Sequence, residues 1–227
     1  HKYTVSLQIG LVNDLINMGY NVILQDVDVV WMKSPFHYLN NKIFDRLDVQ
    51  MSVDGRNDHK GPGNSGFIYI KSNCKTKVFM NTMVELTALI FVGRSDQIVW
   101  NMVLNEKYFR QIHFETLDVN YFVAGYQANV KTGRQNGKIT LPSTGIMFHA
   151  SWTTDQFDKV EKYYLSGNWY FTPEKCPSLY DYELLPNLEE RRSVIREKQG
   201  EQEAQYGPKG LNIFRDTSNG NWVRVND

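Results

Sequence analysis

Cysteine is scarce in this chain: Cys74 and Cys176 are the only two in 227 residues. That is too few for a disulfide-stapled scaffold, and the pair lacks the close spacing of a structural zinc site. It reads equally as one disulfide or as two separate thiols. No window approaches the run of about 18 apolar residues that a bilayer-crossing helix needs, and no charged-then-apolar leader opens the chain. An excess of charge of either sign is missing too. Twenty-five Lys and Arg offset twenty-five Asp and Glu, so no overall field attracts nucleic acid or an anionic membrane surface. We therefore expect no nucleic-acid partner. The sequence contains no Asn-x-Ser/Thr glycosylation acceptor, no internal repeat and no low-complexity tract.

With 41% hydrophobic and 22% charged residues, the chain can bury a full core. After Pro186 its character changes. Glu189 to Gln205 (EERRSVIREKQGEQEAQ) is densely charged with few apolar residues, the composition of a solvated helix or tail. We expect a folded catalytic domain over 1–185 and a charged extension over 186–227. The chain opens on His1 and enters a helical pattern at once; it reads as a piece of a longer protein, with any targeting or anchoring segment upstream.

From Val5 to Met18, Leu7, Leu11, Leu15 and Met18 recur at helical period, with Val12 and Ile16 beside them. Gly19 is a helix stop. Val22, Ile23 and Leu24 then form a short apolar strand that ends in Gln25-Asp26. Strands are expected at Val49 to Val53 and Phe67 to Ile70, separated by a glycine-rich loop, DGRNDHKGPGNSG. Long loops of this kind are often functional. Helices follow at Lys75 to Phe91 and Asp96 to Leu104, strands at Ile112 to Phe114, Val119 to Val123 and Gly145 to His149, and a helix at Asp155 to Leu165. The mixture predicts an α/β sandwich with one central mixed sheet flanked by helices.

Chemistry concentrates at Asp26-Val27-Asp28. Residues two apart in an extended segment point the same way, so two carboxylates at a strand end converge on one cation. Hard oxygen ligands suit Mg²⁺ or Mn²⁺, which keep positions open for water and phosphate. An isolated Asp-x-Asp often does no more than cap a turn; here an apolar strand precedes it and Val29-Val30-Trp31 follows.

The run QDVDVVWMKSPF resembles the signature of the nucleotide-diphospho-sugar transferases of glycosyltransferase family 77. Asn64-Ser65-Gly66 resembles that family's NSG motif, Asp96-Gln97-Ile98-Val99-Trp100-Asn101 its DQxxxN motif, and Phe148-His149-Ala150-Ser151 its late histidine segment, all in family order. The resemblance covers about residues 5 to 170. It implies a GT-A fold, a divalent metal (Mn²⁺ or Mg²⁺), a nucleotide-sugar donor of UDP type, a glycan or glycoprotein acceptor, and transfer of a galactose, xylose or arabinose with retention. It also implies that the first nucleotide-binding strand-helix segment lies before this sequence, and that the protein sits in the Golgi lumen as part of a type II membrane protein anchored outside this segment.

Carried over by position, the resemblance makes Asp28 and His149 metal ligands and puts Asp26 at the metal or the donor. Asn64, Ser65, Gly66 and Gln97 become donor-binding residues, Lys159 a partner of the diphosphate, and Asp96 the candidate catalytic carboxylate. Asp96 is equally a helix N-cap from its position alone, and Lys159 equally a solvated helix lysine. Trp152 and Trp169 are candidates for stacking on sugars or for packing in the core. Two other classes fit parts of the pattern. A haloacid-dehalogenase-like phosphatase also places Asp-x-Asp after an apolar strand, but needs a later acidic pair, and the sequence has no Asp-Asp dipeptide. A carbohydrate-binding module would hold Ca²⁺ with the same carboxylates and bind glycan without a nucleotide.

Overall fold

A computed structural model describes residues 2–55, 62–105, 110–130, 139–153, 156–170, 213–215 and 222–224. Two compact units divide at Trp169/Tyr170. The first opens with helix α1 (Lys2–Asn17), strands β1 (Val22–Gln25) and β2 (Val29–Trp31), a short helix α2 (Phe36–Leu39) and a 3₁₀ turn at Lys42–Phe44. Strands β3 (Val49–Val53) and β4 (Gly63–Ile70) come next, then helices α3 (Cys74–Glu85), α4 (Thr87–Phe91) and α5 (Asp96–Asn105). The unit closes with β5 (Phe114–Thr116), β6 (Phe122–Ala124), α6 (Gly125–Val130), β7 (Met147–His149) and α7 (Gln156–Leu165). In the second unit, β8 (Ile213–Arg215) pairs antiparallel with β9 (Trp222–Arg224). The charged stretch at 189–205 and Cys176 lie outside the described residues.

The sheet expected from the sequence is divided in two. A mixed four-stranded sheet runs β1-β4-β3-β5 and a mixed three-stranded sheet runs β2-β7-β6. β4 explains why. Its alternate residues serve different cores: Ile68 and Ile70 pack with Ile9, Val12 and Ile16 of α1, Phe79 of α3 and Trp100 of α5, whereas Phe67 and Tyr69 pack with Val29, Phe122 and Met147 of the smaller sheet. A strand apolar on both faces must be covered on both, here by helices on one side and a second sheet on the other. Val123, Phe148 and Ala150 then carry the smaller sheet onto Ala128 of α6 and Tyr163 of α7, giving four layers. Trp100 and Phe79 are fully buried with ring centroids 5.7 Å apart; truncating either to alanine costs about 3–5 kcal/mol in cores of this kind.

Two elements differ from their sequence patterns in instructive ways. α1 buries Ile9, Val12 and Ile16, and leaves Leu7, Leu11 and Met18 exposed. The helix carries apolar residues on more than one face, and the face that docks bears Ile9, Val12 and Ile16 with Leu15 packed beside them. Its exit turn is a Schellman cap: the Tyr20 amide donates to Leu15 and the Gly19 amide to Ile16, with Gly19 at φ 99°. The helix expected over Lys75 to Phe91 breaks at Leu86, whose φ of −80° and ψ of −2° close α3, while the Thr87 hydroxyl takes up the Val84 carbonyl.

Asp48, almost fully buried at the head of β3, ties the larger sheet to α3 and to the segment before β5. Its carboxylate accepts from the His113 amide at 2.8 Å, from Asn73 Nδ2 at 2.8 Å and from Lys75 Nζ. Asn73 in turn caps α3 through a capping box with Thr76. Burial opposes ionisation of Asp48, but these donors outweigh it and hold its carboxyl below the ordinary value. A lowered native pKa stabilises the fold above the unfolded value of about 4 and loses that contribution as pH falls through the native one. Asp48→Ala is expected to lower unfolding free energy by about 3 kcal/mol at neutral pH, the cost of breaking a buried pair from one side. Urea denaturation should show the gap between wild type and variant narrowing steadily below about pH 4.

Candidate metal and substrate site

The chain leaves the larger sheet at Gln25 and joins the smaller one at Val29, so Asp26, Val27 and Asp28 are the crossing between layers. They form a turn, not the extended segment expected, because the chain changes sheets within three residues. Two bonds fix it: the Asp26 amide donates to the Gly66 carbonyl at 2.9 Å, and the Tyr163 hydroxyl donates to the Asp28 carbonyl. That hydroxyl also accepts from the Ala150 amide at 3.1 Å. Burial pushes the Tyr163 phenol up, so it stays protonated and keeps its donor role.

Strand pairing brings the histidine to the turn. β2 and β7 are antiparallel with Val29 opposite His149, so the last residue of β7 lies beside the first of β2. His149 Nε2 is 3.4 Å from Asp28 Oδ1 and 3.9 Å from Asp26 Oδ2. One ligand atom from each of the three residues lies within 4.8 Å of the others. The His149 side chain is 4% exposed and its Nδ1 is buried with no hydrogen-bond partner, so Nε2 is the nitrogen it presents. Two carboxylates and an imidazole form a donor set that suits a divalent cation of the Mg²⁺ or Mn²⁺ type.

The two carboxylates differ electrostatically. Burial opposes ionisation of Asp28, yet hydrogen bonds from His149 and Lys159 prevail and hold it well below the carboxylate range. Asp26, more exposed, is pushed up by partial loss of water, with Asp28 and Asp96 adding like charge against His149 and Lys159. Ionisation is thus favoured more strongly at Asp28 than at Asp26.

Beside the cluster opens a cleft of about 550 Å³. Of the residues expected from sequence, Asp26, Asn64, Ser65, Gly66, Gln97, His149 and Lys159 line it, while Asp28 sits beneath Lys159 and His149 and is not part of the lining. Asp96 is not among the lining residues either, although it lies close enough to raise Asp26. Nor does it cap α5: Ser95 does, its hydroxyl accepting from the Ile98 amide at 3.3 Å. The Asn64-Ser65-Gly66 segment, expected as loop, is the start of β4. Its glycines mark crowding instead of a turn. A Cβ at Gly63 would lie 2.7 Å from Met51 Sδ, and one at Gly66 would overlap the His149 ring and come within 2.9 Å of Asp26 Oδ2.

Sequence reasoning did not single out Asp54 or Tyr163, which act through contacts distant in sequence. Asp54 accepts from Trp152 Nε1 at 2.9 Å, Asn64 Nδ2 at 3.2 Å and Gln97 Nε2 at 2.8 Å. Trp152 is half-exposed on the cleft with φ 57°, a left-handed conformation that costs about 1–2 kcal/mol for a bulky residue. Its carbonyl is held by buried Lys162 at 2.7 Å and its ring meets Tyr126 edge-on at 5.4 Å. Trp169, by contrast, packs against the core around Val123 and Phe148.

A model of the nucleotide-diphospho-sugar transferase family matches residues 2–162. Among curated proteins, the chain is 35% identical over 102 residues to an uncharacterized protein of Arabidopsis thaliana, covering 45% of this chain and 30% of that one. It is 34% identical over 71 residues to a UDP-D-xylose:L-fucose alpha-1,3-D-xylosyltransferase of the same organism, covering 30% of this chain and 19% of that one. The chain thus spans less than a third of the length of either relative. No solved structure matches it.

The crowding at Gly66 gives a direct check on the cluster. Gly66→Ala must displace the His149 ring or the Asp26 carboxylate, and shifts of this kind around ligand side chains cost about 10–100-fold in metal affinity. Calorimetric titration with Mn²⁺ is expected to show at least the lower end of that loss, with the far-ultraviolet circular dichroism spectrum unchanged.

Proposed function

The chain belongs to the nucleotide-diphospho-sugar transferase family; from that premise we propose that it acts as a glycosyltransferase in which Asp26, Asp28 and His149 hold a divalent cation at the diphosphate of a UDP-sugar. The observation that carries this is the convergence of the three ligand atoms within 4.8 Å at the edge of a cleft whose other wall bears Asn64 and Gln97. A bound Mn²⁺ or Mg²⁺ supplies positive charge against the charge that builds on a departing diphosphate.

The protein's own groups have separable tasks in this reading. Asp28, whose ionised form is favoured, and His149 Nε2 would hold the cation. Lys159, which contacts Asp28 at the cleft wall, turns toward the diphosphate oxygens when the donor enters. Asn64 and Gln97 hydrogen-bond the sugar's hydroxyls, and the Gly66 surface lets the donor approach Asp26 closely. Asp96, in the first turn of α5 and outside the cleft lining, remains the candidate carboxylate for a retaining reaction and would have to approach the anomeric carbon to serve as one. Family membership displaces the phosphatase and lectin readings, since neither uses a nucleotide-sugar.

The finer specificity is part of the same proposal. A glycosyltransferase family 77 assignment, a xylose, galactose or arabinose donor, a glycan or glycoprotein acceptor and residence in the Golgi lumen are proposed on the motif order, and the relative that transfers xylose from UDP-D-xylose to L-fucose supports the xylose donor and the sugar acceptor. A catalytic region reaching residue 185 before a charged extension is proposed on composition. No helix among the described residues is long and apolar enough to cross a membrane.

Calorimetry with UDP tests the reading. UDP is expected to bind in the presence of Mn²⁺, to lose binding in chelator, and to lose it again in Asp28→Ala, while Lys159→Ala weakens Mn²⁺-UDP by about tenfold through loss of one charge-assisted contact, worth roughly 1.5–3 kcal/mol. Equal UDP affinity with and without metal would sink the proposal.

A further inference from the structure

Three residues that line the sugar side of the cleft converge on one carboxylate behind it. Asn64 comes from β4, Gln97 from the first turn of α5 and Trp152 from the segment after β7, and all three donate to Asp54. A carboxylate only accepts, so it dictates how both amides face. Their NH₂ groups turn to Asp54, and their oxygens accept from the backbone: Gln97 Oε1 from the Ser65 amide at 3.3 Å and Asn64 Oδ1 from the Gly66 amide at 2.9 Å. Asp54 also holds Trp152 by its indole N–H, at the residue whose backbone is left-handed. Its own amide is tied to the Pro62 carbonyl at 2.9 Å, which fixes the carboxylate in place.

We infer that Asp54 is the positioning residue that makes this cleft select an uncharged sugar. The inference rests on the nucleotide-sugar reading above. Asp54 orients Asn64, Gln97 and Trp152 toward the sugar's hydroxyls and ring face, and its negative charge lies behind the wall they form. A uronic acid would bring a second carboxylate toward it, and like charges at close range disfavour binding. A pentose or hexose bearing only hydroxyls meets the Asn64 and Gln97 side chains without that repulsion. Polar readout of this kind discriminates strongly because mismatched partners are left unpaired.

UDP-xylose and UDP-glucuronate are a matched pair of probes, identical except for the carboxylate on the sugar's fifth carbon. Asp54→Asn keeps the size and removes the charge. It also sets an NH₂ group against one of the three donors, so the amide orientations no longer agree. The test compares Mn²⁺-dependent Kd values of UDP, UDP-xylose and UDP-glucuronate in wild type and in this variant, with a thermal melt as the check on folding. Wild type is expected to favour UDP-xylose over UDP-glucuronate by at least about tenfold. In Asp54→Asn that ratio should fall about tenfold, with UDP affinity preserved. An unchanged ratio in the variant overturns the inference, as does a wild type that binds both sugars equally while still binding UDP. A folded variant that loses UDP itself also overturns it, because Asp54 would then be a general structural support. A wild type with no metal-dependent UDP affinity would instead bring down the nucleotide-sugar reading on which the inference stands.

Discussion

The site depends on a short crossing of the chain between two packed sheets. Strand β1 belongs to the larger sheet and β2 to the smaller, and only Asp26, Val27 and Asp28 separate them. Both strands are anchored by their partners: β1 pairs with β4 from Val22 to Gln25, and β2 with β7 from Val29 to Trp31. With register set on both sides by apolar burial, the turn has little freedom left. The same pairings deliver Gly66, opposite the end of β1, and His149, opposite the start of β2. A geometry that could hold a metal ion therefore follows from the packing of cores that contain none of its three residues, which is how rigid elements position a polar site.

Holding charged groups at that junction requires compensation, and the structure distributes it unevenly. Asp28 is mostly shielded and has both His149 and Lys159, which together outweigh its desolvation. Asp26 stands further out, where water and neighbours share the task. Tyr163 contributes without charge: its hydroxyl bridges the Asp28 carbonyl and the Ala150 amide, satisfying two backbone groups where the turn and the exit from β7 meet. Buried backbone groups left unpaired there would be expensive. The smaller sheet, α7 and the DVD turn are in this way one mechanical unit.

The sequence made the two carboxylates legible as a candidate cation site because apolar strands bracket them. VIL before Asp26 and VVW after Asp28 are both short buried runs, and their chemistry could be read without knowing that they belong to different sheets. The division into sheets was not legible, since a run such as FIYI reports burial on both faces without saying what covers each. The docking face of α1 was not legible for a related reason: Leu7 and Leu11 are as apolar as Ile9 and Val12, and only contacts with the rest of the core separate the two faces. Asn64 to Gly66 read as loop because glycine usually signals conformational freedom; here Gly66 has an ordinary strand conformation and serves by lacking a side chain where His149 and Asp26 crowd in. Asp54 and Tyr163 carry no local pattern at all. Their partners lie 10, 43 and 98 residues away for Asp54 and 135 for Tyr163, distances at which periodicity and motif spacing say nothing.

Charge balance gives the proposed chemistry its internal logic. Asp26 reaches the cleft, with Asp28 beneath it and Asp54 and Asp96 close by, whereas Lys159 is the only lysine or arginine among the described lining residues. Lys159 is already committed to Asp28. A diphosphate entering such a cleft would meet carboxylates with little to neutralise it, and at an effective dielectric constant near 20 two like charges 4 Å apart repel by about 4 kcal/mol. A divalent cation held by Asp26, Asp28 and His149 would reverse that sign and leave Lys159 to face the phosphate. The cluster is a poor anion site by itself, which is the physical reason the proposed donor would need a metal, and the carboxylate behind the sugar wall would extend the same exclusion of uncompensated negative charge from the diphosphate end to the sugar.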